Sequence, residues 1–168
     1  KEKVMGAEKK IMVAVGMNRY TEGLLRYATG TADIMGADLI CTSIINARDV
    51  DAVATIAEMG YEVDGDNYVA GVKAERQQEF DKILKKIGHP PEKIRMVIKV
   101  GDPSEEILKI ALKEDVDLII MGIKSRSDLE YALVGSVAEK VFPRSPIPIL
   151  SYRDERVAER LKKQIHLS

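Results

Sequence analysis

Val116-Asp-Leu-Ile-Ile-Met-Gly122, then twelve residues ending in Ala132-Leu-Val134, then Gly135-Ser136-Val-Ala-Glu139: this stretch decides how the chain folds. An apolar, β-branched run ends in glycine, a polar loop follows, and a second glycine beside a serine opens a helix. That is the layout of an anion cradle, in which glycines let backbone N–H groups come close to a phosphate and a hydroxyl adds a donor. The first helical turn then aims unsatisfied N–H groups and partial positive charge at the same spot. The same residues also fit a plainer reading, with Ser136 and Glu139 forming a capping box and Gly122 turning the chain after a strand.

Outward from this stretch, strands and helices alternate. Upstream, Gly101-Asp-Pro-Ser-Glu105 reads as a tight turn into a helix, with Asp102 as N-cap, Pro103 at the first helical position and Glu105 completing the capping box. Ile107, Ile110 and Ala111 of that helix face a sheet, and Ile94 to Val100 forms the strand before it. From Val69, a helical stripe of Val72, Arg76, Phe80, Ile83, Leu84 and Ile87 closes at Gly88-His89-Pro90-Pro91. Between Asn46 and Asp66, Val53, Ile56 and Ala57 suggest a short helix, while Gly60 and Gly65 suggest a surface excursion.

At the start, Lys10-Ile-Met-Val-Ala-Val15 reads as a strand buried on both faces, ending at Gly16-Met17-Asn18. Leu24, Ala28, Ala32 and Met35 then recur at helical spacing from Thr21, Gly36 stops the helix, and Asp38 to Ile45 makes a second strand. Strand, helix, strand is a βαβ unit, which sets the two strands parallel. Downstream, a helix runs from Ser136 to near Phe142-Pro143, and Ile147 to Tyr152 reads as a final strand. The alternation predicts an open, doubly wound, mainly parallel α/β sheet covered on both faces. Ligands in such sheets sit beyond the carboxyl ends of the strands, here the tips at Gly16-Met17-Asn18, Asn46-Ala47, Gly101-Asp102 and from Gly122 onward.

Composition bounds the function. The chain has 168 residues, enough for one good core, and 26 basic against 27 acidic side chains give no field to draw in nucleic acid or an anionic membrane. No apolar run approaches the roughly 20 residues that span a bilayer, and the charged start from Lys1 to Lys10 lacks the apolar segment of a signal peptide. The expected location is the cytoplasm. Cys41 is the single cysteine, read as a small buried hydrophobe. His89 sits in a Pro-rich turn and His166 in the tail, so neither stands at a strand tip as a base, and no His/Cys/Asp spacing suggests zinc.

The spacing of Gly122, two residues, Ser125, nine residues and Gly135-Ser136 resembles the nucleotide motif of the universal stress protein family. That motif reads glycine, two residues, glycine, nine residues, glycine and serine or threonine, so Ser125 replaces its second glycine. The likeness also covers Lys9-Lys10-Ile11-Met-Val-Ala-Val, Val100-Gly101-Asp102-Pro103 and Pro146-Ile-Pro148-Ile-Leu, and so runs from about Lys9 to Tyr152. It implies a flavodoxin-like three-layer sandwich, similar to the adenine-nucleotide alpha-hydrolase architecture, with five strands in order 3-2-1-4-5. It also implies ATP or another adenine nucleotide, accompanied by Mg2+, between the first and fourth strands.

The residues carried over to that site are Gly16, Asn18, Ile44, Gly101, Met121, Gly122, Ser125, Arg126, Gly135, Ser136 and Val137. Gly16 stands where nucleotide-binding members carry an acid, and Asn18 where a serine is usual, so a ribose or metal contact is expected to be lost. Ser125 adds a Cβ near the phosphate but offers a hydroxyl in return. Lys124 and Arg126 are either phosphate ligands or solvated loop charges, and Ile44 and Met121 are either adenine contacts or core.

The expected organisation is a tag-like or disordered 1–8, a universal stress protein domain at 9–152 and an amphipathic C-terminal helix at 153–168, with Val157, Leu161 and Ile165 as its apolar stripe. Family resemblance implies a homodimer joined through the edge strand 147–152, with Pro148 directing its missing donor away from the ladder. The expected function is an adenine-nucleotide-binding stress-response protein working through partner contacts, with slow ATP hydrolysis the most that catalysis would amount to. The first alternative is a dimeric member that has lost its nucleotide and serves only as a protein-interaction module. The second is a slow ATPase or nucleotidyl enzyme, weakened because the first strand lacks the Ser-Gly-Gly phosphate loop of ATP pyrophosphatases. A phospho-receiver is weakened likewise, because Gly16 and Asn46 stand where its acids would be.

Overall fold

The computed structural model describes residues 9–123 and 136–165. Ser125, Arg126 and Gly135, with the loop around them, lie outside the described residues, as do residues 1–8 and His166. In chain order the elements are β1 (Lys9–Ala14), α1 (Thr21–Met35), β2 (Ala37–Asn46), α2 (Ala47–Glu58), α3 (Gly65–Ile87), a 3-10 turn (Pro91–Lys93) and β3 (Ile94–Gly101). There follow α4 (Pro103–Lys113), β4 (Leu118–Gly122), α5 (Ser136–Val141), β5 (Ile149–Tyr152) and α6 (Glu155–Lys162). The strands form one sheet in the order β3-β2-β1-β4-β5, with every neighbouring pair parallel.

The layers follow from the period of two along the strands. Ile11 and Val13 of β1 point to one face, where they pack with Leu24, Leu25 and Ala28 of α1 and Phe80, Ile83 and Leu84 of α3. Met12 points to the other, against Ile107, Ile110 and Ala111 of α4 and Ala138 and Val141 of α5. All three β1 residues are fully buried, which is why this strand reads as a continuous apolar run and not as an alternating one. Cys41 is buried in the α1/α3 layer, and burial pushes its thiol pKa far up, so it is packing material and not a nucleophile.

Helix ends obey their local chemistry. Gly36 takes the left-handed conformation, φ 59°, and its N–H reaches the carbonyls of Ala32 and Asp33. Asp102 accepts hydrogen bonds from the backbone N–H groups of Ser104 and Glu105 at 2.9 and 3.1 Å, and Pro103 opens α4. The Glu105 carboxylate is turned to Lys109, 3.7 Å away. The ambiguous 46–66 segment resolves into α2, capped by Asn46 and bearing no buried residue, and an early start of α3. Gly65 is the first residue of α3, because Asp64 caps it by accepting from Asp66 N–H. The irregular excursion is therefore only residues 59–64.

Arg76 faces the sheet with the stripe in which periodicity placed it, but as a polar member. Its Nη1 donates to the Ser43 hydroxyl at 2.8 Å, and Ser43 donates in turn to the Val15 carbonyl. The residue is thus a polar tie between α3 and the tips of β1 and β2. In the tail, Asp154 caps α6, Val157 and Leu161 are half-buried, and Ile165 lies past the helix, 64% exposed. Among the described residues no helix is long and apolar enough to cross a membrane.

Candidate functional site

The strand order reverses between β1 and β4: β1 continues through α1 to β2 on one side, whereas β4 lies on its other side. The crossovers leave on opposite faces there, and a crevice opens beyond the carboxyl ends. A cleft of about 310 Å³ occupies that position. Its apolar part is formed by Ala14, Ile44, Ile107 and Met121, and its polar part includes Asn18, Tyr20, Thr21 and Asp154. Gly16, Gly122, Ser136 and Val137 also line it, as does Tyr152.

Seven of the residues expected from the sequence are therefore brought together: Gly16, Asn18, Ile44, Met121, Gly122, Ser136 and Val137. Gly101 is not among the lining residues; it ends β3 opposite Asn46, and a Cβ there would stand 2.6 Å from Glu106 Cγ. Its glycine is explained by that contact and by a φ of 159° at the edge of the positive range, while Pro103, two residues on, does line the cleft. Gly122 behaves differently. A Cβ there would meet Leu24 Cδ2 at 3.6 Å, an ordinary contact, so the fold itself does not demand glycine at the end of β4.

The tip of β1 is locally organised around Asn18. Its Oδ1 accepts from Tyr20 N–H at 2.9 Å, and its own N–H donates to the Thr21 hydroxyl at 2.8 Å. These bonds start α1 in the absence of a side-chain cap from Tyr20. Met17, between Gly16 and Asn18, is held at φ 45°, a conformation that non-glycine residues seldom adopt and that concentrates at functional sites. A second, more polar cleft of about 470 Å³ lies beside this tip and includes Met17, Arg19, Glu75, Arg76 and Glu79. Burial lowers the pKa of the Arg76 guanidinium, against the opposing pull of Tyr68, Asp49 and Glu75.

Tyr152, Asp154 and Thr42 are among the lining residues that lie outside the sequence-derived site. Tyr152 packs its ring against Tyr27 with centroids 5.3 Å apart, and burial raises its phenol pKa, with the carboxylates of Asp154 and Glu155 adding to the effect. Asp154 lines the cleft while its carboxylate caps α6. Thr42 lies two residues before Ile44 on β2, so the period of two that put Ile44 on this face puts Thr42 there as well. That alternation was the available signal. Thr42 is 1% exposed, and its Oγ1 has no hydrogen-bond partner among the described residues. Nor do the described residues contain a cluster of three or more His, Cys, Asp or Glu able to hold a metal ion.

Comparison with known proteins agrees with this architecture. The hypothetical protein MJ0577, whose structure served a structure-based assignment of biochemical function, is 27% identical at a TM-score of 0.68, over 88% of this chain and 96% of that one. A universal stress protein solved in complex with cAMP is 20% identical at TM-score 0.60, covering 88% and 98% of the two chains. The universal stress protein from Archaeoglobus fulgidus in complex with dAMP is 17% identical at 0.59, covering 89% and 100%. The last two establish likeness of fold alone. A search of the curated proteins found no match. The profile of the universal stress protein family matches residues 8–153, nearly the whole sheet and its helices, and the chain belongs to that family.

Proposed function

We propose that the protein binds an adenine nucleotide in the cleft between β1 and β4 and acts, as a cytoplasmic homodimer, in a stress response through partner contacts. The observation that carries this reading is the make-up of the cleft. An apolar slot of Ala14, Ile44, Ile107 and Met121 suits a heterocycle, and it adjoins Gly122 and Ser136, where backbone and hydroxyl donors suit phosphate. Gly122 supports the fit, because a Cβ there would make only an ordinary 3.6 Å contact with Leu24 Cδ2, so packing within the fold gives no reason for glycine. Two proteins of the same fold were solved with adenine mononucleotides. Mg2+ would come with the phosphates, since among the described residues the cleft is lined by a single carboxylate, that of Asp154.

One observation favours the nucleotide-free alternative. The end of β1 presents Gly16 and offers no side chain to a ribose, and the Asn18 Oδ1 is already committed to Tyr20 N–H. Thermal unfolding with and without millimolar ATP, ADP or AMP, each with and without Mg2+, separates the readings. Chromatography of the supernatant from denatured protein is run beside it. A ligand that binds only the folded state stabilises it by about 2.7 kcal/mol at a hundredfold excess over Kd, so a clear rise in midpoint is expected. A clean supernatant together with an unmoved midpoint would leave the interaction-module reading.

A further inference from the structure

We propose that Thr42 is the residue of this cleft that reads the nucleobase, its hydroxyl hydrogen-bonding to the edge of a heterocycle lodged in the apolar slot. The inference rests on the nucleotide reading above and assigns it a specificity contact. Thr42 sits on β2 between Ile40 and Ile44 on the face toward α4. Its carbonyl is used, accepting from Val15 N–H at 2.8 Å to hold the end of β1 against β2. Its side chain is not used: Oγ1 is buried and has no hydrogen-bond partner among the described residues.

A buried hydroxyl without a partner is costly to the folded protein, and valine would fill the same volume without that cost. Packing alone gives no reason for threonine here. A ligand does, because a hydroxyl both donates and accepts and can pair with a ring nitrogen or an exocyclic group. The surrounding wall of Ala14, Ile44, Ile107 and Met121 is hydrocarbon and thioether. In such surroundings one polar atom fixes the orientation of an otherwise apolar partner.

The test is calorimetric titration of the wild type, Thr42→Val and Thr42→Ser with AMP and with ribose 5-phosphate, which keeps sugar and phosphate but lacks the base. Apo unfolding midpoints are measured for all three proteins. We expect Thr42→Val to bind AMP about tenfold more weakly, to treat ribose 5-phosphate as the wild type does, and to unfold at the same or a higher midpoint. Thr42→Ser should recover most of the AMP affinity. Unchanged AMP affinity in Thr42→Val, or equal weakening toward both ligands, overturns the proposal. If ribose 5-phosphate binds too weakly to detect, the AMP comparison decides alone; if Thr42→Val does not fold, Thr42→Ala takes its place. Wild type that binds no AMP defeats the nucleotide reading itself and this assignment with it, whereas wild type that binds AMP with Thr42→Val unchanged defeats only this assignment.

Discussion

The Tyr152 hydroxyl lies 2.7 Å from the point where a Cβ on Gly23 would stand, and the next ring atom, Cζ, lies 3.6 Å from it. One missing methyl on α1 thus seats the ring that links the last strand to the first helix and walls the cleft. Gly23→Ala should gain helix propensity, about 0.5–1 kcal/mol, yet lose more by displacing the tyrosine, with overpacking costing about 1–3 kcal/mol. In a Tyr152→Phe background the obstacle is gone, and the same Gly23→Ala should become stabilising. Urea unfolding of the four proteins in a double-mutant cycle measures the change of sign; additive effects would show that the two residues do not share this contact.

How much of this was legible beforehand depended on whether a residue's role is local or non-local. The apolar run around Val13, the Gly36 stop and the Asp102 cap are short-range consequences of sequence, and all appear where the residues put them. The strand order came from the likeness of the spaced glycines to a known family, since nothing in periodicity says which strands are neighbours. The links of Arg76 to Ser43, over 33 positions, and of Gly23 to Tyr152 were not legible, because each joins elements that only the fold brings together. Val53, Ile56 and Ala57 marked a real helix, α2, although it carries no buried side chain.

Gly122→Ala should separate folding from binding. The added Cβ meets Leu24 Cδ2 at 3.6 Å, so the fold accepts it, and alanine within a strand carries less backbone entropy cost than glycine. The unfolding midpoint should stay within a few degrees of wild type. Nucleotide affinity should fall, because the new methyl occupies the side of the cleft where backbone must approach the phosphates. Gly122→Val should abolish binding. Equal affinities for wild type and Gly122→Ala would assign this glycine to turn geometry alone.

Acid should unfold the protein in part through Asp102. Its carboxyl pKa is lowered first by the hydrogen bond from the Ser104 hydroxyl, then by the backbone N–H groups of Glu105 and Ser104, with Lys140 adding a little. A folded-state value below the unfolded one means the contribution is complete above about pH 4. It is lost as pH falls through the lower, folded-state value. Asp102→Asn keeps an acceptor for the cap but cannot titrate, so its stability should decline less steeply below pH 4 than that of wild type. Asp102→Ala should cost about 0.5–2 kcal/mol at neutral pH. Chemical denaturation at pH 7, 4 and 3 supplies the comparison, and parallel pH profiles for wild type and Asp102→Asn would count against the cap as the source.

The β5 edge of the sheet is the place to look for the dimer. Among the described residues β5 pairs with β4 on one side only, and the strand order places no strand on its other side. The carbonyls of Pro148 and Tyr152 accept from Ile119 and Ile123 N–H groups, so both face β4. Pro148 sits just before the strand, where its missing donor takes no bond from the ladder, and the ladder itself spans Ile149–Tyr152. Alternation then directs the backbone groups of Ile149 and Ser151 outward, where a second copy can pair with them across a two-fold axis. Ile149 and Leu150 are poor probes because each also packs against a core layer. Ser151→Pro is the better one: it removes a single outward donor and leaves the side facing β4 intact. Light scattering at micromolar concentration should give twice the 18.7 kDa chain mass for wild type and the single chain mass for Ser151→Pro. A monomeric wild type, or a dimer that survives the proline, would place the contact between subunits elsewhere or remove it.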